Sequence, residues 1–404
     1  MTRRASALKQ LDAAVEQSGV TVVRGLPRVG RSSFLAEWQS RHTNAKRCET
    51  IDDVKVEPGV FVLDHVDLSS ADAIIAITRA AEEARLRTRL VIAPNDLATA
   101  EYLRTKLPGV VGAIEITPLR VEEVAAEAWT QFAATGPVDA VPTASMPINQ
   151  EAIDPNRHWL RGGFPESLEA ESDERSLAWR RAMLDGVLAR DYTEWNVERA
   201  FPLADVLRWL ANQNGSELDE NGCSFAKRQE LKSAVYVLER LGLVRRLPNF
   251  PAGSNSSMAK KQKVFVRDTG VLHALLGIET STQLRSHSGI GESFESYATE
   301  ALILAADGRC GAQFYREKGR EGDDEIDLVL DFPSQNGRLV AIEFKVGQER
   351  KAEKGFHNGC AALGVKDQDR FVVHSGDRPM LNQPVPRLDL KSAIERIAGI
   401  AGEG

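Results

Sequence analysis

The sequence predicts an α/β protein: a parallel sheet first, a helical and hairpin segment next, and a second α/β sheet at the end. Three observations carry this prediction. Near the N-terminus, Val20 to Val23, Val60 to Leu63 and Arg89 to Ala93 are apolar runs of strand length, set between helical stretches as in parallel α/β sheets. In the middle, Phe225 to Leu241 carries Leu231, Val235, Leu238 and Leu241 at helical spacing, the mark of an amphipathic helix. Toward the C-terminus, the runs around Ile326 to Leu330 and Leu339 to Phe344 flank a Pro/Ser/Asn/Gly turn from Pro333 to Gly337 and read as a hairpin.

The totals bound the answer. A chain of 404 residues has room for two to four domains with their own cores. No apolar run approaches 18 residues, and Met1-Thr2-Arg3-Arg4 leads into a mixed polar helix. A membrane span and a signal peptide are therefore not expected, and a cytoplasmic location is. Cys48, Cys223, Cys310 and Cys360 are far apart and form no Cys-x-x-Cys pair, which argues against zinc and against a disulfide framework. The net charge of −7 does not by itself point to nucleic acid, so the distribution of charge decides.

Ala5 to Gln17 reads as a helix and Val20 to Val23 as a buried strand. Directly after it, Gly25-Leu26-Pro27-Arg28-Val29-Gly30-Arg31-Ser32-Ser33 precedes the helical run Phe34 to Arg41. This is the phosphate-binding P-loop pattern in its strand, loop, helix context, with Arg31 where lysine is usual. The glycines let backbone N–H groups wrap a phosphate at a helix N-terminus. Arg31 keeps the charge but not the compact ammonium. Val60 to Asp64 is an apolar strand ending in an aspartate that suits water-mediated contact with Mg²⁺, and His65 follows it. Asn95 and Asp96, after the strand Arg89 to Ala93, are candidates for a polar group meeting the γ-phosphate. Ala113 to Ile116, then Thr117-Pro118-Leu119 and a helix from Val121 to Ala134, close this part; Gly136 to Pro155 reads as a long loop.

Helices are expected from Glu174 to Trp195 and from Leu203 to Asn212, followed by Phe225 to Leu241. Gly242 to Pro248 and Lys263 to Arg267 then read as two strands joined by a Gly/Ser/Asn/Lys loop, which is a winged-helix order. From Gly222 to Arg267 ten Lys/Arg stand against two acids, so Lys227, Arg228, Arg245, Arg246, Lys260, Lys261 and Lys263 are the candidates for phosphate contacts to DNA. A solvated loop beside a packing helix is the bland alternative.

The last part places two carboxylates and an ammonium together. Asp327 lies in one strand of the predicted hairpin, Glu343 in the other, and Lys345 two residues further on, so that Glu343 and Lys345 share a face. Asp327 and Glu343 are the candidate ligands of Mg²⁺, which takes one or two carboxylates and keeps several waters. Lys345 would orient a metal-bound water or neutralise developing charge in phosphodiester hydrolysis. A surface ion pair is the bland alternative. Gly291 to Ala306 reads as a helix with Glu292 and Glu295 on one face. A strand from Ala312 to Tyr315, the hairpin, a helix from Glu349 to Leu363, a strand from Arg370 to His374, a loop from Arg378 to Pro386 and a helix from Leu388 to Ile400 complete the chain.

Helix, three strands, helix, strand, with an acid on the first helix, Asp on the second strand and Glu-x-Lys on the third, resembles the PD-(D/E)XK nuclease core. The whole series of motifs resembles a prokaryotic family with an N-terminal AAA-type P-loop ATPase, a winged helix and a C-terminal domain of unknown function related to those nucleases. Its marks here are Arg24 to Ser33, Leu63-Asp64, Ile116 to Leu119, Gly162-Gly163-Phe164-Pro165-Glu166, Arg190-Asp191, Val266 to Gly270, Gly291 to Glu295, Tyr315-Arg316, Glu325-Ile326-Asp327 and Glu343-Phe344-Lys345. The expected architecture is thus an AAA-type parallel sheet over 1–135, a loop and helical connector over 136–200, a winged helix over 201–275 and a restriction-endonuclease-like α/β domain over 285–404.

The resemblance implies ATP contacts at Gly25, Gly30, Arg31, Ser32, Ser33 and Asp64, and a catalytic set of Glu295, Asp327, Glu343 and Lys345. The chain departs from the family in its ATPase half: the lysine is Arg31, the water-activating glutamate is His65, and Gly109-Val110 stands where Gly-Arg is usual. Loss of one charged transition-state contact costs on the order of 10³-fold in phosphoryl transfer, so ATP binding without efficient hydrolysis is expected. The functional expectation is a DNA-associated member of the ATPase family with a degenerate nucleotide site and a Mg²⁺-dependent nuclease site. The alternative is an ATP-binding switch or a DNA-binding scaffold with no catalysis. DNA is the expected partner, membrane is not, and the residues assign no oligomeric state.

Overall fold

Parallel strands covered on both faces read as unbroken apolar runs, and the N-terminal sheet is built from such runs. The computed structural model describes residues 4–124, 153–190, 201–251, 261–318 and 323–403. They fall in two compact units, Met1–Leu119 with Arg240–Gly242, and Arg120–Glu239 with Leu243–Gly404. Asp191, Lys260, most of the helix expected to Ala134 and most of the loop expected from Gly136 to Pro155 lie outside the described residues.

The first unit runs α1 (Ala5–Gln17), β1 (Val20–Arg24), α2 (Arg31–Arg41), β2 (Ala45–Cys48), β3 (Gly59–Val66), α3 (Ala71–Glu83), β4 (Thr88–Pro94), α4 (Leu97–Lys106) and β5 (Val111–Glu115). Its five strands are all parallel, in the order β2-β3-β4-β1-β5. This order puts β1 inside the sheet, so the loop after β1 opens at the carboxyl edge between β4 and β5. Open α/β sheets place ligands at that edge. Val20, Val22, Phe61, Leu63, Ile74, Leu90, Ile92 and Leu103 form the core. Of its strands, only β2 was not expected. It is an edge strand whose Lys46 and Arg47 are exposed, and charge on an edge hides the strand signal while protecting the edge.

The second unit begins with α5 (Pro155–Arg161), α6 (Pro165–Leu168), α7 (Asp173–Leu188), α8 (Leu203–Asn212) and α9 (Arg228–Arg240). The hairpin strands β6 (Val244–Pro248) and β7 (Gln262–Val266) follow, then α10 (Thr269–Leu276), α11 (Ser281–Ser286) and α12 (Ile290–Ala305). The last stretch is β8 (Gly311–Lys318), β9 (Asp323–Phe332), β10 (Arg338–Lys345), α13 (Lys354–Ala362), β11 (Arg370–His374), β12 (Arg387–Asp389) and α14 (Leu390–Gly402). Its five-stranded sheet has the order β12-β11-β10-β9-β8, antiparallel from β8 to β10 and parallel from β10 to β12. One face packs Leu328, Leu330, Ile342 and Phe344 against Phe294, Leu302, Ile394 and Ile397 of α12 and α14. The other packs Ile326, Val329 and Ala341 against Phe356 and Cys360 of α13. The hairpin closes the open edge of this sheet: Asn249 bridges to Phe314, and the Phe250 N–H donates to Phe314 O at 2.6 Å.

Three glycine-rich motifs that the sequence marks without a chemical role form one buried polar scaffold. Asp268 accepts N–H bonds from Gly163 at 2.7 Å and Val271 at 2.9 Å. A Cβ on Gly270 would lie 2.1 Å from Arg161 O, so α10 packs directly on the end of α5. Arg180, fully buried, donates to Leu160 O at 3.3 Å and Gly270 O at 2.6 Å. Ser293 Oγ accepts from Trp159 Nε1 at 3.0 Å and stands 2.8 Å from His273 Nε2, while His273 Nδ1 lies 2.9 Å from Leu160 O. A carbonyl only accepts, so His273 carries its proton on Nδ1 and its Nε2 accepts a hydrogen bond from the Ser293 hydroxyl.

Glu300 ties the hairpin to α12 in the same way. Arg245 reaches its two oxygens at 2.7 and 3.0 Å, and Arg267 donates at 2.9 Å. Burial alone would raise the Glu300 carboxyl, but the two guanidinium groups outweigh it and hold it down at about 2. Breaking a buried pair by removing one partner costs about 3–5 kcal/mol. Glu300→Ala is expected to lower stability by that order in urea denaturation. A second expectation concerns acid. Burial pushes His273 down from 6.5 to about 3, so between those values the unfolded chain takes a proton that the folded one refuses. Stability then falls as pH drops below 6.5, by at most about 1.4 kcal/mol per pH unit for this group. Denaturation midpoints from pH 7 to pH 4 should show that slope, and His273→Gln should remove this contribution to it.

Candidate functional site

Strand β9 carries the first acid of the C-terminal centre at a break in register. Gln313 pairs with Val329 and Tyr315 with Ile326, so β9 holds one more residue than β8 between those pairs. Such a bulge bends the strand and re-aims a side chain, and Asp327 sits in it. On the other side the β9–β10 ladder reaches Ile342 opposite Leu328. Beyond it the Asp327 side chain replaces backbone, its Oδ2 accepting the Phe344 N–H at 2.9 Å. Glu343 and Lys345 share a face of β10 and meet at 2.8 Å, and Lys345 also reaches Glu353 at 2.5 Å. Glu295 projects from α12.

The cation at the middle of these acids is Lys263. Its Nζ lies 2.9 Å from Glu295 Oε1, 2.9 Å from Glu325 Oε1 and 3.7 Å from Asp327 Oδ1, and its side chain is 3% exposed. It also stands 5.5 Å over the Phe314 ring. Burial alone would discharge this amine, but Glu295, Asp327 and Glu325 outweigh it and hold the ammonium well above its usual range. Burial is also the largest influence on Glu295, Asp327 and Glu343, all raised, with Asp327 adding to the rise at Glu343. Glu325 is held low despite burial by Lys263 and Arg316. One oxygen of each candidate ligand is already engaged: Asp327 Oδ2 holds the Phe344 N–H, Glu343 Oε1 faces Lys345, and Glu295 Oε1 faces Lys263. Among the described residues, no group of three or more His, Cys, Asp and Glu is placed to hold a metal ion.

The basic run from Lys227 to Lys263 divides accordingly. Lys227 and Arg228 are exposed, at 88% and 64% of their side chains, with Lys227 3.8 Å from Glu230 and Arg228 paired to Glu220 at 2.8 Å. Arg245 belongs to Glu300, Arg246 pairs with Glu239, and Lys261 meets Glu217 at 2.5 Å. Lys263 corrects the expectation most directly, because a side chain buried among carboxylates is not a surface contact for phosphate. The signal for it was in the strand pattern: Lys263 leads the unbroken apolar run Val264-Phe265-Val266, and the strand is buried on both faces from Lys263 to Val266. Glu325 and Arg316 were family marks without a role; they form the outer part of the same network, with Arg316 Nε at 3.0 Å from Glu325 and Nη1 at 3.2 Å from Glu217.

In the first unit, the loop after β1 is shaped by two glycines and a buried arginine. A Cβ on Gly25 would come 2.4 Å from Ile116 O, and Gly30, at φ 91°, caps α2 in the left-handed region. Arg28 takes a positive φ of 68° as well. The α2 ladder begins with Phe34 N–H donating to Gly30 O at 3.0 Å, so the N–H groups of Arg31, Ser32 and Ser33 precede it, as at every helix start. Arg31 donates to Pro94 O at 2.5 Å and is thereby anchored on the end of β4. Arg4, buried, holds the loop from behind through Val29 O at 2.7 Å and Thr117 O at 2.8 Å. The sequence gives no hint of this role, since Arg4 reads as part of a polar terminus.

Asp64 and His65 stand at a second bulge. Leu63 pairs with Ile92 and Val66 with Pro94, which leaves one extra residue on β3, and His65 adopts φ 58°. Asp64 Oδ1 accepts the His65 N–H at 3.0 Å, and the His65 ring meets Asn95 Oδ1 at 3.2 Å. Asp96, the other polar candidate, caps α4 by accepting the Thr99 N–H at 2.7 Å.

Family models match two stretches of the chain, a domain of unknown function (DUF8612) over residues 153–282 and a domain of unknown function (DUF4143) over residues 290–388. Two curated proteins, each described as uncharacterized, from Mycobacterium bovis and Mycobacterium tuberculosis, are 32% identical over 200 residues, 47% of this chain. The match spans 42% of those relatives' length. Among solved structures, a Walker-type ATPase of Pyrococcus abyssi is similar over 68% of this chain and 96% of its own, at 12% identity and a TM-score of 0.44. No helix among the described residues is long and apolar enough to cross a membrane.

Proposed function

We propose that this protein is a nucleotide-binding switch of the P-loop ATPase type, which holds ATP at Gly25, Gly30, Arg31, Ser32 and Ser33 with little or no hydrolysis. What supports binding is the loop itself: a phosphate cradle shaped by Gly25 and Gly30 at the start of an eleven-residue helix, α2, at the carboxyl edge of a parallel sheet. Backbone N–H groups and the helix dipole favour an anion there. Mg²⁺ accompanying the nucleotide would be held by Asp64 through water and by the Ser32 hydroxyl, and would supply charge neutralisation at the phosphates.

The observation that carries the absence of turnover is at His65. The residue after Asp64 is an imidazole, turned by a bulge and tied to Asn95, so no carboxylate stands there to take a proton from water. Arg31 supports the same reading, because its guanidinium is engaged on Pro94 O. No DNA cleavage is expected at the C-terminal centre, since Lys263 occupies the middle of its acids. DNA association would rest on the exposed Lys227 and Arg228 rather than on the whole basic run.

A ligand that binds only the folded state stabilises it by about 2.7 kcal/mol at a hundredfold excess over Kd. Mg-ATP is therefore expected to raise the melting temperature by several degrees, and Arg31→Ala to abolish the rise. Phosphate release should stay about 10³-fold below an ordinary enzyme rate of about 10 s⁻¹. Turnover near that ordinary rate, or no thermal shift in the wild type, would sink the reading.

A further inference from the structure

The acids that a metal would need are already neutralised by a cation belonging to the chain. We propose that the Lys263 ammonium is the built-in counter-ion of the Glu295, Glu325 and Asp327 cluster and acts as an autoinhibitory plug that keeps divalent metal out of this centre. This stands independently of the nucleotide reading, which concerns the other unit.

Four observations support it. The ammonium has three N–H donors and meets three carboxylates, two of them at 2.9 Å. Its side chain is almost wholly buried, at 3% exposure, so water and ions do not compete for those donors. It arrives from β7, a strand outside the helix and sheet that carry the acids, and its backbone is fixed there by pairing with Leu247 and by a bridge to Glu217. The surroundings keep it in place: Arg316 and Lys261 hold Glu217, and Arg316 holds Glu325.

A Mg²⁺ or Mn²⁺ ion bonded to Glu295 and Asp327 would sit about 2.1 Å from their oxygens. It would have to share that volume with the Nζ that already bonds Glu295 and stands 3.7 Å from Asp327 Oδ1. A divalent ion there would stand within about 4 Å of the ammonium, a like-charge repulsion in a desolvated site, and the covalently tethered cation has no loss of translational freedom to offset. Glu343 and Lys345, paired with each other at 2.8 Å, are left beside the plug.

The test is Mn²⁺ binding, read by the electron paramagnetic resonance signal of free Mn²⁺ and by the Mn²⁺-dependent melting temperature. The proteins are wild type, Asp327→Asn, Lys263→Met, and Lys263→Met combined with Asp327→Asn. Wild type and Asp327→Asn are expected to bind Mn²⁺ alike, because Asp327 is not available to metal. Lys263→Met should bind at least about tenfold tighter once the like charge within ~4 Å is gone, melt higher in Mn²⁺, and lose both gains when Asp327→Asn is added. Should Lys263→Met fail to fold, Lys263→Met with Glu325→Gln removes one acid together with the ammonium and carries the same expectation. Wild-type binding that Asp327→Asn abolishes would overturn the plug. A folded plug-less variant that binds no tighter than wild type would overturn it as well.

Discussion

The second unit depends on the match between one buried ammonium and the acids around it. Removing charges from water costs several kcal/mol per ion, and an incomplete set leaves that cost uncompensated. Glu295, Glu325 and Asp327 come from α12 and β9, Lys263 from β7 and Arg316 from β8, so the centre is satisfied only when hairpin, helix and sheet are assembled together. The Glu300 ion pairs with Arg245 and Arg267 repeat the device one helical turn and a half further along α12. These links give a physical reason why the hairpin belongs to the same compact unit as the sheet it borders.

Both candidate sites share a second constraint. Asp64-His65 in β3 and Asp327 in β9 each lie where a strand carries one residue more than its neighbour. A regular strand would aim these side chains up or down from the sheet by strict alternation; a bulge lets an acid turn toward the strand end. In β3 the result is an imidazole locked to Asn95. In β9 it is a carboxylate that accepts a backbone N–H from β10. The same device thus places chemistry-bearing residues in two unrelated sheets.

Much of this was legible in the residues. Apolar runs and the Gly25 to Ser33 spacing place β1, its loop and α2, and period-2 alternation brings Glu343 beside Lys345. The three-residue edge strand β12 was not legible, because Arg387, Leu388 and Asp389 show no period. The bulges were not either, since an extra residue is defined only against a partner strand. Lys263 was misplaced because a charge count over Gly222 to Arg267 sums side chains without asking whether the strand that carries them is buried on both faces, as β7 is. Family marks such as Gly162-Gly163, Asp268 and Ser293 carried no visible chemistry in sequence, and their polar atoms prove to be a scaffold around Asp268, Arg180 and His273.

The most direct test of the account is anomalous scattering from crystals of the wild-type protein soaked in MnCl₂. The account predicts electron density for the Lys263 side chain reaching Glu295 and Glu325, with no manganese peak bonded to Asp327 or Glu343. A manganese peak at about 2.1–2.2 Å from those carboxylates, with the Lys263 side chain displaced from them, would contradict it and restore the centre as a metal site.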